Sequence, residues 1–270
     1  MIKTEQADYS GVYELYEESR QIYSEIGHKL GLSQALACLG NIAYETGDYA
    51  GSFKMMKESL ELSRELGDKR NIGYTLFNLA ACADEQGDRT KSQELTKECQ
   101  KIFSDIGDKR GLALTYANLG VMEQGLGNYD VAIENYISGI AICKDIGFKF
   151  LTAVITYNMG RTYFLKKEYD RCKKYYTQSL AGCKELSNKK YIVLNLTGIS
   201  ELYSIMEREA DGAKLLGFVD FFVKLNDLAL LDGEKKFFDQ VCSRIAGHLD
   251  PDSYARMFDE GKSISLEKAI

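Results

Sequence analysis

Residues 63–80 read SRELGDKRNIGYTLFNLA, residues 103–120 read FSDIGDKRGLALTYANLG, and residues 143–160 read CKDIGFKFLTAVITYNMG. The three stretches are one phrase repeated at a step of forty residues. Working outward, the glycine of that phrase recurs as Gly27, Gly67, Gly107 and Gly147, with Ser187 at the next step. A small residue keeps the same step at Gly40, Ala80, Gly120, Gly160 and Ser200. A third marker does so as Gly47-Asp48-Tyr49, Gly87-Asp88-Arg89, Gly127-Asn128-Tyr129 and Lys167-Glu168-Tyr169. A fixed period of about 20–50 residues is the mark of an array in which each unit buries its apolar face against its neighbours.

Each period holds two helices. Tyr74, Leu76, Leu79, Ala80 and Ala83 recur at three- and four-residue steps, which is the stripe of an amphipathic helix running from about Asn71 to Glu85. Gly87 tolerates the left-handed conformation that ends a helix, and Asp88 can cap the next one. That second helix carries Leu95, Cys99, Ile102 and Phe103 and stops at Gly107, with Asp108 as the following cap. The small residue at Gly40 and its equivalents lets paired helices approach closely, although glycine costs about 1 kcal/mol against alanine inside a helix. A single proline, Pro251, leaves long helices uninterrupted almost everywhere.

The chain has 270 residues, 45% of them hydrophobic and 27% charged, which fits a folded protein. Its net charge of -6, with no Lys/Arg run, argues against direct nucleic-acid binding. No apolar stretch of about twenty residues is present to span a membrane, and the start MIKTEQADYS lacks the apolar core of a secretory signal. Seven cysteines without a C-x-x-C pair point to a reducing compartment, hence the cytoplasm. Cys143 and Cys183 share one repeat slot with Ser63 and Phe103, as core residues would.

The paired-helix pattern resembles the tetratricopeptide repeat. Leu39-Gly40 with Tyr49 and Ala50, and Leu119-Gly120 with Tyr129 and Ala132, carry the resemblance best. The forty-residue step is longer than that family's usual repeat and is similar to the long form in bacterial signalling proteins and kinesin light chains. The resemblance implies an all-α fold, a right-handed superhelix of antiparallel helix pairs. Its expected parts are a half repeat over 7–28, full repeats over about 29–68, 69–108, 109–148, 149–188 and 189–226, and a helical C-terminal cap over 227–270. The half repeat lacks its first helix. The expectation is that the chain is the C-terminal part of a longer protein, or that a partner or another copy covers the bare helix. The tail resembles the end of the repeat region in large bacterial transcriptional activators and related signalling ATPases. The matching residues are Ala213, Leu215, Leu216, Gly217, Phe258, Gly261, Ser265, Leu266, Glu267 and Ala269. Asp250-Pro251 reads as a helix start within it, and Ser265 as the cap of a last short helix.

No motif points to catalysis. Gly261-Lys262-Ser263 ends like a phosphate-binding loop, but Arg256 stands where that loop needs its first glycine. His28 and His248 are the only histidines, and neither has a convergent partner for acid-base work. Metal-ligand spacing is absent, so no cofactor is expected. Asn195-Leu196-Thr197 matches a glycosylation acceptor but falls within a helical stretch.

The candidate site is an asparagine column. Asn78, Asn118 and Asn158 hold one slot on successive first helices, with Cys38 and Gly198 in the flanking repeats. First helices line the concave groove of such arrays. A side-chain amide both donates and accepts, so it can pair with the backbone of an extended peptide. The family resemblance implies that role here. The bland alternative is an amide bonded only to the neighbouring repeat. Tyr44, Phe77, Tyr157, Arg161 and Phe164 are the other groove-facing candidates by helical spacing, aromatics and arginine being the usual anchors of interfaces. Arg161 replaces Asn41, Ala81 and Val121 in its slot. The functional expectation is a non-enzymatic module binding a protein or peptide segment in the groove, as the sensor or interaction part of a bacterial signalling or transcription regulator. Small-ligand sensing and self-assembly into a homo-oligomer through the N-terminal helix are the alternatives.

Overall fold

The computed structural model describes residues 9–269, which form fourteen α-helices and, among the described residues, no strand. The described residues fall into two compact units. One comprises 9–126 with Ile137–Ile146, and the other Gly127–Tyr136 with 147–269.

The first unit begins with α1 (Tyr9–Glu25) and continues through the hairpins α2 (Lys29–Glu45) with α3 (Tyr49–Leu66) and α4 (Lys69–Glu85) with α5 (Arg89–Ile106) to α6 (Lys109–Gly125). Its core is made of Met56, Leu60, Leu76, Leu79, Ala80, Ala83, Leu95, Cys99 and Phe103, all buried. These include Leu76, Leu79, Ala80 and Ala83 of the α4 stripe and Leu95, Cys99 and Phe103 of α5, with Tyr74 and Ile102 half-buried against them. A Cβ built on Gly40 would lie 2.9 Å from the Met56 side chain, so the glycine makes room for a large side chain of the paired helix. α1 packs on α2 and leaves Leu15, and Ile26 just past its end, about two-thirds exposed, at 65% and 67%.

Helix α7 (Tyr129–Asp145) contributes its first half to the second unit and its end to the first. The second unit adds α8 (Lys149–Leu165), α9 (Tyr169–Glu185), α10 (Lys189–Ile205) and α11 (Glu209–Leu225), then α12 (Asp232–Ala246), α13 (Pro251–Gly261) and the short α14 (Leu266–Ala269). Here the repeat glycine again receives a ring. Cβ atoms on Gly160 and Gly198 would each come within 2.6 Å of Tyr176, which is fully buried between them. Tyr176 occupies the slot of Met56 three repeats later. α13 lies against α11 so closely that a Cβ on Gly217 would sit 1.9 Å from the carbonyl oxygen of Phe258, and one on Gly261 1.9 Å from that of Lys214. Asp250 caps α13 through the Ser253 amide at 2.9 Å, with Pro251 in the first turn.

The turns share one construction. A residue with positive φ closes a helix every twenty residues from Gly27 to Asp227. Through Gly147 this residue is glycine, and afterwards it is Lys167, Ser187, Glu207 and Asp227, with φ between 48 and 62°. The next amide reaches back to the last turn of the helix, as in Asp88 to Ala83 at 2.9 Å and Asn188 to Cys183 at 2.9 Å. That is the six-to-one bond of a Schellman closure. The same residue then caps the following helix: Asp48, Asp68, Asp88, Asp108 and Asn188 each accept a backbone N–H three residues on. His28 does so with Nδ1 at 3.0 Å.

Candidate binding face of the first helices

In the first unit the asparagine slot is engaged between repeats. Asn78 Nδ2 on α4 donates to Asn41 Oδ1 on α2 at 2.8 Å, at an exposed position. Asn118 Nδ2 on α6 donates to Thr96 Oγ1 on α5 at 3.4 Å. Each amide keeps further donor or acceptor capacity, since an asparagine side chain offers two N–H groups and a carbonyl. Tyr44 on α2 donates its hydroxyl to Glu85 Oε1 at 3.4 Å and meets Tyr49 edge-on at 5.4 Å. Burial, then the nearby Glu85 carboxylate, push its phenol above the ordinary tyrosine range, so it stays a donor. Phe77 is half-buried against the core of α3, α4 and α5, which makes packing its visible role.

The second unit gathers the remaining candidates on α8. Asn158 is half-buried and its backbone carbonyl accepts the Thr162 hydroxyl at 2.9 Å. Tyr157 and Arg161 reach α10 through Tyr191 and Glu201, whereas Phe164 meets Tyr169 of α9 edge-on at 5.9 Å. The Arg161 guanidinium stands 5.4 Å from the Phe164 ring centroid and 4.5 Å from that of Phe237 on α12, both within cation–π reach. One of its amino groups donates to Glu201 on α10. Glu201 is only 3% exposed, and its other oxygen accepts from Arg244 of α12 at 2.9 Å. Burial works against the charge on Arg161, but Tyr176, Glu201 and Tyr157 outweigh it and raise its pKa. The partner of Arg161 is thus a buried carboxylate shared by two arginines from different helices.

Tyr157, Arg161, Tyr191, Leu194, Glu234 and Phe237 are among the residues lining a pocket of about 540 Å³ between α8, α10 and α12. Tyr157 meets the Tyr191 ring edge-on at 5.7 Å, and burial pushes its phenol up, so the hydroxyl remains a donor. The sequence reading reached Tyr157 and Arg161 but missed Glu201, Phe237 and Arg244. Glu201 had a signal, standing one forty-residue step after Arg161 in the same slot. Phe237 and Arg244 lie on α12, past the last repeat marker, where no period places a residue on a face. No group of three or more His, Cys, Asp or Glu able to hold a metal occurs among the described residues. None of the described helices is long and apolar enough to cross a membrane.

The chain matches two family models, both described as tetratricopeptide repeat, over residues 31–105 and 155–181. No curated protein matches its sequence. Among solved structures, BtubC (BKLC) from P. vanneervenii is 15% identical with a TM-score of 0.63, covering 91% of this chain and 94% of that one. A signal-transduction ATPase with numerous domains and a tetratricopeptide repeat sensor, from Pyrococcus horikoshii, is 15% identical with a TM-score of 0.66. That alignment takes in 98% of this chain and 44% of the ATPase. NprR in complex with its cognate peptide NprX is 14% identical with a TM-score of 0.61, covering 93% of this chain and 65% of that one. At these identities the likeness is one of fold. The helix pairs within 31–105 and 155–181 are tetratricopeptide repeats, and the array resembles in fold a signalling ATPase that carries such a sensor.

Proposed function

We propose that this chain is a non-enzymatic binding module whose first helices take an extended peptide or protein segment, within a signalling or transcription regulator. The observation that carries the reading is the exposed amide pair Asn78–Asn41. Two side chains that satisfy one another across neighbouring helices can exchange that bond for a peptide backbone at little net cost, because each retains both a donor and an acceptor. Asn118 and Asn158 repeat the chemistry at the same slot, and Tyr44, Tyr157, Arg161 and Phe164 supply the aromatic and cationic anchors. NprR, similar in fold, was solved with a cognate peptide, which adds weight to a peptide occupant.

The test is selection of binders from a displayed random-peptide library, followed by the triple substitution of Asn78, Asn118 and Asn158 by Ala. Selected peptides are expected to lose at least about tenfold in affinity, from several neutral hydrogen bonds of about 1 kcal/mol each. Unchanged affinity with an intact helical spectrum would remove the asparagines from the mechanism. A small-ligand reading draws on the 540 Å³ pocket, which falls in the usual size range of such sites. Self-assembly draws on the exposed Leu15 of α1 and Ile26 just past its end, and a monomeric mass at high concentration in sedimentation would exclude it.

A further inference from the structure

The pocket between α8, α10 and α12 has a charge balance unlike that of the rest of the chain. One carboxylate, Glu234, lines it, and a second, Glu201, is buried behind Arg161; both are already matched. Glu201 serves Arg161 and Arg244. Glu234 pairs with Lys190 at 3.0 Å through one oxygen and accepts the Leu231 amide at 2.9 Å through the other. Lys236 also lines the pocket, is exposed, and makes no ion pair with any described residue. Among the residues lining the pocket the cations Arg161 and Lys236 therefore outnumber the one carboxylate, Glu234, which Lys190 already matches, in a chain whose net charge is -6. Asp232 and Asp239 of α12 are not among the residues lining it.

The uncharged groups have the same bias. The Tyr157 hydroxyl forms no hydrogen bond with any described residue, although it borders the cavity. Gln240 adds a side-chain amide. Arg161 is 24% exposed on its side chain while Glu201 is 4%, so the guanidinium stays reachable after its carboxylate partner has been buried. The rings of Tyr157, Tyr191 and Phe237 form the apolar part of the wall beside these donors.

We infer that this pocket receives a carboxylate of the ligand, held by Arg161 with Lys236 and the Tyr157 hydroxyl. The inference rests on the binding-face reading above for its peptide source, but its chemistry is shared by an acidic peptide and a free small carboxylate. Charge-assisted bonds from a guanidinium to a carboxylate are the strong ones, which makes an acid the best match for the unspent donors.

The test is an NMR titration of the whole chain, following the Arg161 Nε–H and Tyr157 ring signals. Three probes are compared at constant ionic strength: acetyl-Leu-Glu-Asp-Leu with a free carboxyl end, its Gln/Asn carboxamide isostere, and glutarate. An acidic probe should move both signals, and the isostere should bind at least about tenfold more weakly. Lys236→Gln and Tyr157→Phe, which leave the Glu201 pairings intact, should each weaken the acidic probe about threefold or more with an unchanged helical spectrum. Movement with glutarate alone supports the inference with a free metabolite as source and counts against the peptide reading. Movement with the peptide alone supports it with a peptide source. Equal binding of the isostere overturns the inference, as do acidic probes that leave Arg161 and Tyr157 unmoved. If a peptide then shifts only the amides of 71–85, the pocket assignment fails while the peptide reading stands.

Discussion

Alanine in place of Gly217 sets two effects of opposite sign against each other. In an exposed helix interior, glycine to alanine stabilises by roughly 0.5–1 kcal/mol through the unfolded chain's lost freedom. At Gly217 the new Cβ would sit 1.9 Å from Phe258 O, 2.8 Å from its carbonyl carbon and 3.1 Å from its Cα. These are backbone atoms of α13 and cannot rotate away. Restoring an ordinary contact of 3.4 Å requires α13 to retreat by about 1.5 Å. Gly261, which faces the Lys214 carbonyl, would then lose its own close approach, and the Lys214–Glu260 ion pair at 2.8 Å would open. Overpacking of this kind costs about 1–3 kcal/mol, and a rigid neighbour puts it at the upper end. After the propensity gain, a net loss of about 2 kcal/mol is expected. The assay is urea unfolding followed by circular dichroism, with hydrogen exchange over 251–261 to locate the loosening. Gly125 on α6, with nothing within 4 Å of its notional Cβ, is the control and should gain slightly or stay neutral on substitution by alanine. Gly217→Ala as stable as the parent, or more so, would refute the close-crossing argument.

Four further outcomes are expected. Asp108→Ala should cost about 1–2 kcal/mol in chemical unfolding, since Asp108 accepts the Gly111 amide at 2.9 Å and also meets Arg70 and Tyr74; Asp108→Asn should recover most of that loss by keeping the cap. Glu201→Gln leaves Arg161 and Arg244 facing each other without their carboxylate, and thermal unfolding should register a loss of about 3 kcal/mol. Iodoacetamide at pH 8, read by mass spectrometry, should reach half-buried Cys38 first, whereas burial pushes the Cys99 and Cys172 thiols up to about 12 and keeps them unlabelled until unfolding. The Asp250 carboxyl is held below its ordinary value of 3.8 by bonds from Ser253, so its support of α13 should be complete above about pH 3.8 and fade as pH falls through the lower folded value; hydrogen exchange of 251–261 unaffected between pH 5 and 3 would contradict this.

The helical pairs could be read directly from the sequence because their signals are local. Gly87 and Asp88 end one helix and cap the next within two residues, and Leu76, Leu79 and Ala83 mark the buried stripe of α4. The reason for the small residue at Gly40 and Gly160 was legible only in part. Close approach was expected between helices, but the glycines chiefly admit Met56 and Tyr176, side chains sixteen residues further on. The turn at Lys167 lacks glycine and still adopts positive φ, because the flanking helices impose the closure. For the site, spacing put Tyr157 and Arg161 on one face of α8. It could not supply α12, whose place shows in Arg244 reaching Glu201 and Phe237 meeting Arg161, contacts between segments with no shared period.

The four turns closed by Lys167, Ser187, Glu207 and Asp227 carry ordinary side chains in a left-handed backbone, each exposed and each twenty residues from the next. A left-handed L-residue carries a steric cost of roughly 1–2 kcal/mol, so these turns are strained where the earlier glycine turns are relaxed. They are also four evenly spaced attachment points that touch no helix face. Spin labels placed on pairs of them would gauge the pitch of α8 to α11 in solution, with and without a ligand, using the chain's own ruler.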